Sequence, residues 1–162
     1  DLLIPHHTRF GCIKGDIYSS TSRDRSQGFI TRLKERGIDD CLCEHAEFTY
    51  ESGYNAAKKM LASSNRPDAI FCISDLLALG AIDAAREVYK LKIPDDLSVV
   101  GFDDIPMASW QSYKLTTAAQ PGPKMVESAV ELLLKSIETP SLDTVMLKVK
   151  TEWSIRNSSR SG

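Results

Sequence analysis

Four short apolar runs begin near residues 10, 41, 69 and 97, so that one starts about every thirty residues. That interval is the length of a βαβ unit, in which a strand, a helix and a second strand follow one another. Strands that are apolar along their whole length are typical of a parallel sheet with both faces covered. We therefore predict an α/β fold, a doubly wound parallel sheet with helices on both faces and strands at residues 10–14, 41–45, 69–73 and 97–102.

Helical patterns fill the intervals between these strands. Apolar side chains that recur every three or four residues predict helices at residues 23–36, 51–63 and 75–89. After residue 103 the rhythm changes, and we predict an extended segment, a long helix and two last strands at residues 115–119, 124–137, 144–149 and 152–155. The polar tail after residue 156 is expected to fray. The long helix should bury an apolar stripe made of Val126, Ala129, Val130, Leu133 and Ile137.

The composition argues against two classes of partner for this segment. The formal net charge is −2, and shares of 42% hydrophobic and 26% charged residues are ordinary for a globular protein. A nucleic-acid or membrane partner would favour a basic excess, and no apolar run is long enough to cross a bilayer. We therefore expect neither nucleic acid nor a membrane to bind these residues directly.

Four cysteines, at positions 12, 41, 43 and 72, lie in apolar, strand-like segments. A reduced cysteine in such a segment behaves as a small apolar side chain. Cys41, Cys43 and His45 share one face of a predicted strand, but Cys-x-Cys-x-His without a second cluster is a poor zinc signature. We predict buried free thiols in a reducing cytoplasm and no metal site.

Chemically useful side chains follow the predicted strands at the point where each strand ends. In an open parallel sheet, ligands bind beyond the carboxyl ends of the strands, so these side chains should meet at one rim. They are Arg25 after the first strand, Phe48 after the second, Ser74 and Asp75 after the third, and Asp103 after the fourth. Arginine and aspartate offer paired hydrogen bonds to adjacent hydroxyls, and an aromatic ring stacks on an apolar ring face. The rim suits a sugar or a nucleoside-like ligand.

Each rim residue also has a purely structural explanation. Asp75 can cap its helix or complement the helix dipole. Asp103 suits a turn, Phe48 can belong to the core, and Arg25 can pair with Asp24 on the surface. The shared position at the strand ends is what favours a ligand site.

Signatures of catalysis and of cofactor binding are missing from the sequence. It contains no Gly-x-Ser-x-Gly elbow, no Walker-type phosphate loop and no Gly-x-Gly-x-x-Gly after a strand. His6 and His7 precede the first strand, at the end opposite the rim, and His45 is not near the rim either. We therefore predict a protein that is not an enzyme and has no cofactor.

An ordered series of motifs runs along nearly the whole chain, from about residue 8 to residue 158. It consists of HTRFGCI (7–13), RSQGF (25–29), SDLLALG (74–80), IPDDLSVVGFDD (93–104), LTT (115–117) and QP (120–121). The series resembles the effector-binding core of the lactose-repressor and galactose-repressor family of bacterial transcription regulators. A series this long, in this order, is highly specific.

The resemblance implies a type I periplasmic-binding-protein-like fold, in which two subdomains surround a ligand cleft. Residues 1–162 would be the C-terminal portion of the effector-binding domain, mainly its C-terminal subdomain. The helix at about 121–139 would belong to the N-terminal subdomain, with Gln120 at the crossover, and the DNA-binding head would precede Asp1. The implied protein is a cytoplasmic homodimer that senses a small-molecule effector, a sugar or related polar metabolite, and contacts operator DNA only through its head.

The resemblance also implies roles for the five rim residues. Arg25 and Asp103 would bind effector hydroxyls or polar edges, and Phe48 would stack on the ligand. Ser74 stands where many sugar-binding members have asparagine, so that one ligand contact is altered. Asp75 would cap its helix or line the cleft beside Ser74.

Two other functions stay open on the sequence alone. One is a periplasmic sugar-binding protein of a transport system, which would share the fold, although unpaired cysteines argue against export. The other is an enzyme that uses the carboxylates of Asp75 and Asp103.

Overall fold

The computed structural model describes residues 1–139 and 145–160. Its centre is a six-stranded sheet in the order β2-β1-β3-β4-β5-β6, in which β1 to β5 are parallel and β6 runs antiparallel to β5. The strands are β1 Phe10–Lys14, β2 Cys41–His45, β3 Ala69–Cys72, β4 Ser98–Asp103, β5 Thr116–Ala119 and β6 Glu152–Ser154. The predicted α/β fold is confirmed, and the extended segment predicted before the long helix is β5.

The helices of the described chain are α1 Ser20–Glu35, α2 Tyr50–Leu61, α3 Asp75–Tyr89 and α4 Gly122–Glu138, with 3-10 turns at Ile4–His6 and Pro106–Ser109. α1 begins at residue 20, not at 23, because Ser19 caps it and accepts a hydrogen bond from the Ser22 N–H at 3.3 Å. Thr49 caps α2 in the same way, with the Ser52 N–H 3.2 Å from its hydroxyl oxygen. All four predicted helices are present.

The two faces of the sheet are covered by different helices. A β-carbon on Gly11 would lie 2.5 Å from the Met60 sulfur of α2, so this glycine faces α2. The next residue, Cys12, points to the opposite face. There its β3 neighbour Phe71 stacks on Phe29 of α1, with ring centroids 4.9 Å apart. The apolar residues between these layers form the core.

α2 and α3 cross at short distance because each carries a glycine at the crossing. A β-carbon on Gly53 would lie 2.5 Å from Leu77 O, and one on Gly80 would lie 2.2 Å from Tyr50 O. A larger residue at either position would push the helices apart. The inward face of α3 is buried, with Leu79, Ile82 and Ala85 among its residues.

The apolar stripe of α4 is exposed, and the prediction that it is buried is wrong. Val126, Leu133 and Ile137 are 64%, 61% and 68% exposed, and Ala129 and Val130 are exposed with them. An amphipathic pattern makes a helix, but burial also needs a second surface. Within residues 1–139 and 145–160 nothing is packed closely enough on α4 to bury any of its residues.

The strand predicted at residues 144–149 is not formed over residues 145–149, and residue 144 lies outside the described residues. Val145 and Met146 are 65% and 80% exposed. Alternating apolar residues form a strand only where a neighbouring strand accepts and donates the backbone hydrogen bonds. The other predicted strand, at residues 152–155, is present as β6.

The polar tail is docked up to Arg160, contrary to the prediction that it frays. Ser158 is fully buried between β4 and β5. Its hydroxyl accepts from the Thr116 N–H at 2.8 Å and donates to Val99 O at 2.6 Å. The prediction of fraying came from the small, polar residues of the tail. In the structure, the hydroxyl of Ser158 instead supplies hydrogen bonds to backbone groups of β4 and β5.

Candidate ligand-binding site

The parallel register brings the carboxyl ends of β1 to β5 to one edge of the sheet. Lys14 ends β1 beside His45, the last residue of β2, and Asp103 ends β4 beside Ala119, the last residue of β5. His45 therefore lies at this edge, and the prediction that it is not near the rim is wrong. β3 ends between these pairs at Cys72. The loops that carry the predicted rim residues leave the sheet along this edge, and the structure joins two of those residues, Arg25 and Asp103, with Gln120 in one hydrogen-bonded cluster.

Arg25 lies at the centre of that cluster. It projects from α1, and its Nη1 donates to Ile73 O at 2.8 Å and to Asp103 Oδ1 at 2.9 Å. The guanidinium carbon lies 3.9 Å from the ring centroid of Phe102, a cation–π contact. The structural alternative, in which Arg25 pairs with Asp24 on the surface, is therefore wrong. Asp24 pairs with Arg23 instead.

Asp103 is the common acceptor of the cluster. Its Oδ1 accepts from Arg25 and also from Gln120 Nε2, the latter at 2.6 Å. Its Oδ2 accepts no hydrogen bond from the residues the structure describes. The backbone φ of Asp103 is 124° and that of Asp104 is 58°, a left-handed turn that side-chain contacts must hold in place. Arg156 supplies one such contact, with its Nη2 2.6 Å from Asp104 Oδ1.

Ser74 carries an unpaired hydroxyl at the end of β3. It is the N-cap residue of α3, yet its side chain makes no capping hydrogen bond. The residue is 5% exposed, and its Oγ has no hydrogen-bond partner within the described parts of the chain. A buried hydroxyl without a partner costs about 1–3 kcal/mol, so a ligand or water that bonded it would be favoured.

Asp75 lies beneath the rim and not on its surface. It is fully buried, and its two carboxylate oxygens accept from the Thr117 hydroxyl at 2.6 Å and from the Ile105 N–H at 2.9 Å. Burial raises the pKa of this carboxyl. A β-carbon on Gly101 would lie 2.2 Å from Asp75 Oδ1, so only glycine leaves room for the carboxylate. Asp75 thus ties the start of α3 to β5 and to the loop after β4.

Phe48 lies at the rim on the β2 side. Its ring is packed against Gly15, where an added β-carbon would come within 2.7 Å of it, and the residue is 37% exposed. The ring is therefore held in place on one side and open to solvent on the other. That is the arrangement a stacking residue needs.

Three further residues shape the site and were not predicted. Phe102 supports the Arg25 guanidinium, Thr117 bonds Asp75, and Arg156 anchors the loop after β4 through Asp104. In the sequence, Phe102 and Thr117 have the pattern of ordinary strand residues. Arg156 is separated from Asp104 by a long stretch of chain, and only the tertiary contact shows its role.

A groove of about 230 Å³ runs along the α1 face of the sheet. Leu3, Phe29, Phe71 and Trp153 are among its lining residues, and the side of Arg25 borders it. Its walls are mainly apolar, and it offers few groups that would orient a polar ligand. The rim, and not this groove, is therefore the candidate ligand site.

Residues 1–139 and 145–160 contain neither a metal-binding cluster nor a membrane-spanning helix. This part of the chain holds no group of three or more histidine, cysteine, aspartate or glutamate side chains arranged to bind a metal ion. None of its helices is both long and apolar enough to span a membrane.

The amino-acid sequence matches known regulators over most of its length. Residues 2–159 match the family described as "Periplasmic binding protein-like domain". The HTH-type transcriptional repressor PurR of Pasteurella multocida is 36% identical over 163 residues, which cover 98% of this chain and 48% of that repressor. The chain spans about half the length of the curated relatives it matches.

Solved structures of regulators share the fold. The transcriptional regulator CelR in complex with cellobiose superposes with a TM-score of 0.87 at 29% identity, over 96% of this chain and 48% of that one. A dimeric Lac repressor with a C-terminal deletion superposes with a TM-score of 0.89 at 25% identity, over 99% of this chain and 59% of that one. These relatives carry the names of repressors and regulators, in agreement with the prediction of a protein that is not an enzyme. The chain belongs to the periplasmic binding protein-like domain family, in the form that the lactose-repressor family of transcription regulators uses.

Proposed function

We propose that this chain is the effector-sensing part of a bacterial DNA-binding transcription regulator. The observation that carries the proposal is the shared acceptor at the rim. Arg25 and Gln120 both donate to Asp103 Oδ1, which fixes the carboxylate and leaves Oδ2 without a partner in the described chain. The repressor relatives support the same conclusion.

The proposed effector is a sugar or a related small polar metabolite. Asp103 Oδ2 offers an acceptor, the remaining N–H groups of Arg25 offer donors, and the Ser74 hydroxyl can do either. Phe48 adds an apolar face at the other side of the rim. A hydroxylated ring matches this combination, because its polar edges and its apolar face are recognised separately.

The proposed signal passes through Gln120, which lies between β5 and α4. In this proposal α4, at about residues 121–139, packs within an N-terminal subdomain of the full protein, and its exposed apolar stripe supports that placement. An effector that binds a closed cleft better than an open one shifts the population towards closure. In a homodimer, closure changes the relative positions of two DNA-binding heads on a palindromic operator.

The same proposal places the full protein in the cytoplasm as a homodimer that reaches operator DNA through its head. A periplasmic sugar-binding protein of a transport system would share the fold. The names of the relatives favour the regulator. The relative with a similar sequence is a repressor, and the two similar structures are those of a regulator and a repressor.

The test is calorimetric titration of the full-length regulator with pentoses, hexoses, phosphosugars and purines. For the ligand that binds, Arg25→Ala and Asp103→Ala should each weaken binding by about 30-fold or more, the effect of removing one partner of a desolvated charge pair. Arg23→Ala is the matched control, since this arginine lies on the same helix but is exposed and, among the residues that the structure describes, pairs with Asp24 alone. Unchanged affinity in both site variants, with the fold intact, would refute the site.

A second measurement separates the two functions. Operator affinity of the full-length protein, measured by fluorescence anisotropy, should change when the effector is added. Tight sugar binding with no operator binding at all would instead favour the transport protein.

A further inference from the structure

Two cysteines lie side by side on the edge strand of the sheet. Cys41 and Cys43 are separated by one residue of β2, so their side chains point to the same face. β2 is the first strand in the sheet order and, within residues 1–139 and 145–160, has a neighbour only on its β1 side. Both thiols are partly exposed, which corrects the prediction that they are buried, whereas Cys12 and Cys72 are buried. A small solute can therefore reach two neighbouring thiols at this edge.

A lysine and a third cysteine border the pair on β1. Cys12 is the register partner of Cys43, and Lys14 follows it two residues later on the same face. In its neutral form the Cys43 thiol donates weakly to Cys41 O, with 3.5 Å between Sγ and O. The ammonium group of Lys14 lies close enough to favour a thiolate at Cys43. This environment distinguishes Cys43 from the other three cysteines.

The protonation states of the pair follow from the same contacts. A hydrogen bond from the Cys41 thiol, followed by the charge of Lys14, lowers the pKa of Cys43. That hydrogen bond and burial raise the pKa of Cys41, which keeps its proton. Burial raises the pKa of Cys12 to about 12 and also raises that of Cys72. Because the thiolate is the nucleophile, Cys43 is the reactive member of the set.

We propose that Cys43 and Cys41 form a dithiol site that is oxidised by small hydroperoxides, with Cys43 as the nucleophile and Cys41 as the resolving thiol. The Cys43 thiolate attacks the outer oxygen of ROOH, the O–O bond breaks, and the leaving alkoxide takes up a proton as ROH. The product is Cys43 sulfenic acid. Cys41 then attacks this sulfur, a disulfide forms and water leaves. Over both steps the two thiols lose two electrons and two protons, and the hydroperoxide is reduced.

The strand geometry makes this disulfide a reversible one. Residues two apart in a strand have Cα atoms about 6.4–6.8 Å apart, at the upper end of the range of about 4.4–6.8 Å that disulfides span. Because the two side chains leave the strand in parallel, their β-carbons are about as far apart as their Cα atoms, beyond the roughly 3.5–4.5 Å that a disulfide needs. The bond therefore forms only if β2 contracts and gives up part of its pairing with β1, and this strains the disulfide. Strained and accessible disulfides are the ones that thiols reduce easily.

Tryptic digestion distinguishes a disulfide between Cys41 and Cys43 from one that involves Cys12. Cleavage after Arg36 and Lys58 leaves both Cys41 and Cys43 in one peptide, residues 37–58, while Cys12 falls in the peptide 10–14. The reduced chain is treated with hydrogen peroxide, its free thiols are alkylated under denaturing conditions, and the digest is analysed by mass spectrometry. We expect the peptide 37–58 to lose two hydrogen atoms and both alkyl groups. The peptides that carry Cys12 and Cys72 should stay fully alkylated.

Single variants assign the roles of the two thiols. Cys41→Ser should stop at the sulfenic acid of Cys43, trapped as its dimedone adduct, and Cys43→Ser should leave Cys41 unoxidised. Lys14→Met should slow the reaction of Cys43 severalfold, and Cys72→Ala, on a buried position, serves as the matched control with unchanged reactivity. Circular dichroism checks that each variant is folded.

Three results would overturn the proposal, and none depends on whether the chain senses an effector. The first is a cross-link between peptides 10–14 and 37–58, which would mean that Cys12 is the partner. The second is oxidation of Cys41 in Cys43→Ser at the rate of the unmodified chain. The third is full alkylation of the peptide 37–58 after treatment of the folded chain with excess peroxide.

Discussion

Replacing Asp75 by alanine tests whether one buried carboxylate holds the base of the rim. The change leaves the Thr117 hydroxyl and the Ile105 N–H without their acceptor. Each buried donor without a partner costs about 1–3 kcal/mol, or about 2–6 kcal/mol for both. The carboxylate is itself unfavourable to bury, as its raised pKa indicates, so removing it offsets part of that loss. We expect the free energy of unfolding to fall by about 2–4 kcal/mol.

Urea unfolding, followed by circular dichroism and extrapolated linearly to water, measures the loss. Asp24→Ala is the control, because this carboxylate is exposed and its removal should change stability by no more than about 0.5 kcal/mol. A double-mutant cycle with Thr117→Val should give a coupling energy of about 1 kcal/mol, since both changes remove the same hydrogen bond. A loss below about 0.5 kcal/mol for Asp75→Ala, or strict additivity in the cycle, would refute the assigned role.

The pH dependence of stability gives an independent check on Asp75. Its pKa in the folded chain is raised above 3.8, so the folded state binds this proton more tightly than the unfolded state. The corresponding stability is fully present below pH 3.8 and is lost as pH rises through the folded pKa. Relative to Asp75→Asn, which has no proton to lose, the unmodified chain should become less stable as the pH rises above 3.8 and through the folded pKa of Asp75. A difference that does not vary with pH would contradict the raised pKa.

Two substitutions test the packing around the site. Gly80→Ala should lower stability by about 1–3 kcal/mol in thermal unfolding, because its β-carbon would lie 2.2 Å from Tyr50 O. Gly28→Ala, where the added carbon meets nothing within 4 Å, should be neutral or stabilising by up to about 1 kcal/mol; equal effects of the two would show that the helix crossing is not tight. Ser158→Ala removes the acceptor of the buried Thr116 N–H and should cost about 1–3 kcal/mol in urea unfolding. A loss within about 0.5 kcal/mol would mean that the tail is not docked in solution.

The position of the candidate site could be predicted from the sequence more readily than the contacts of its residues. The rule that ligands bind beyond strand ends correctly placed Arg25 and Asp103 at one rim, and the structure joins them through a hydrogen bond. The same rule could not separate Ser74, whose hydroxyl is unpaired, from Asp75, whose oxygens are both occupied. Ser74 and Asp75 are adjacent in the sequence, so both are predicted at the end of the same strand. Only their hydrogen-bond partners elsewhere in the chain distinguish their roles.

The sequence by itself determined the α/β alternation, the order of the helices and the edge at which the rim residues meet. These follow from local periodicity and from the direction of parallel strands, which need no knowledge of distant contacts. The tertiary structure decided which amphipathic surface is covered, so that α3 is buried while α4 stands exposed. It also decided that the tail is docked and that residues 145–149 form no strand. Those outcomes depend on whether a second element supplies a surface or a row of backbone hydrogen bonds, and no local pattern contains that information.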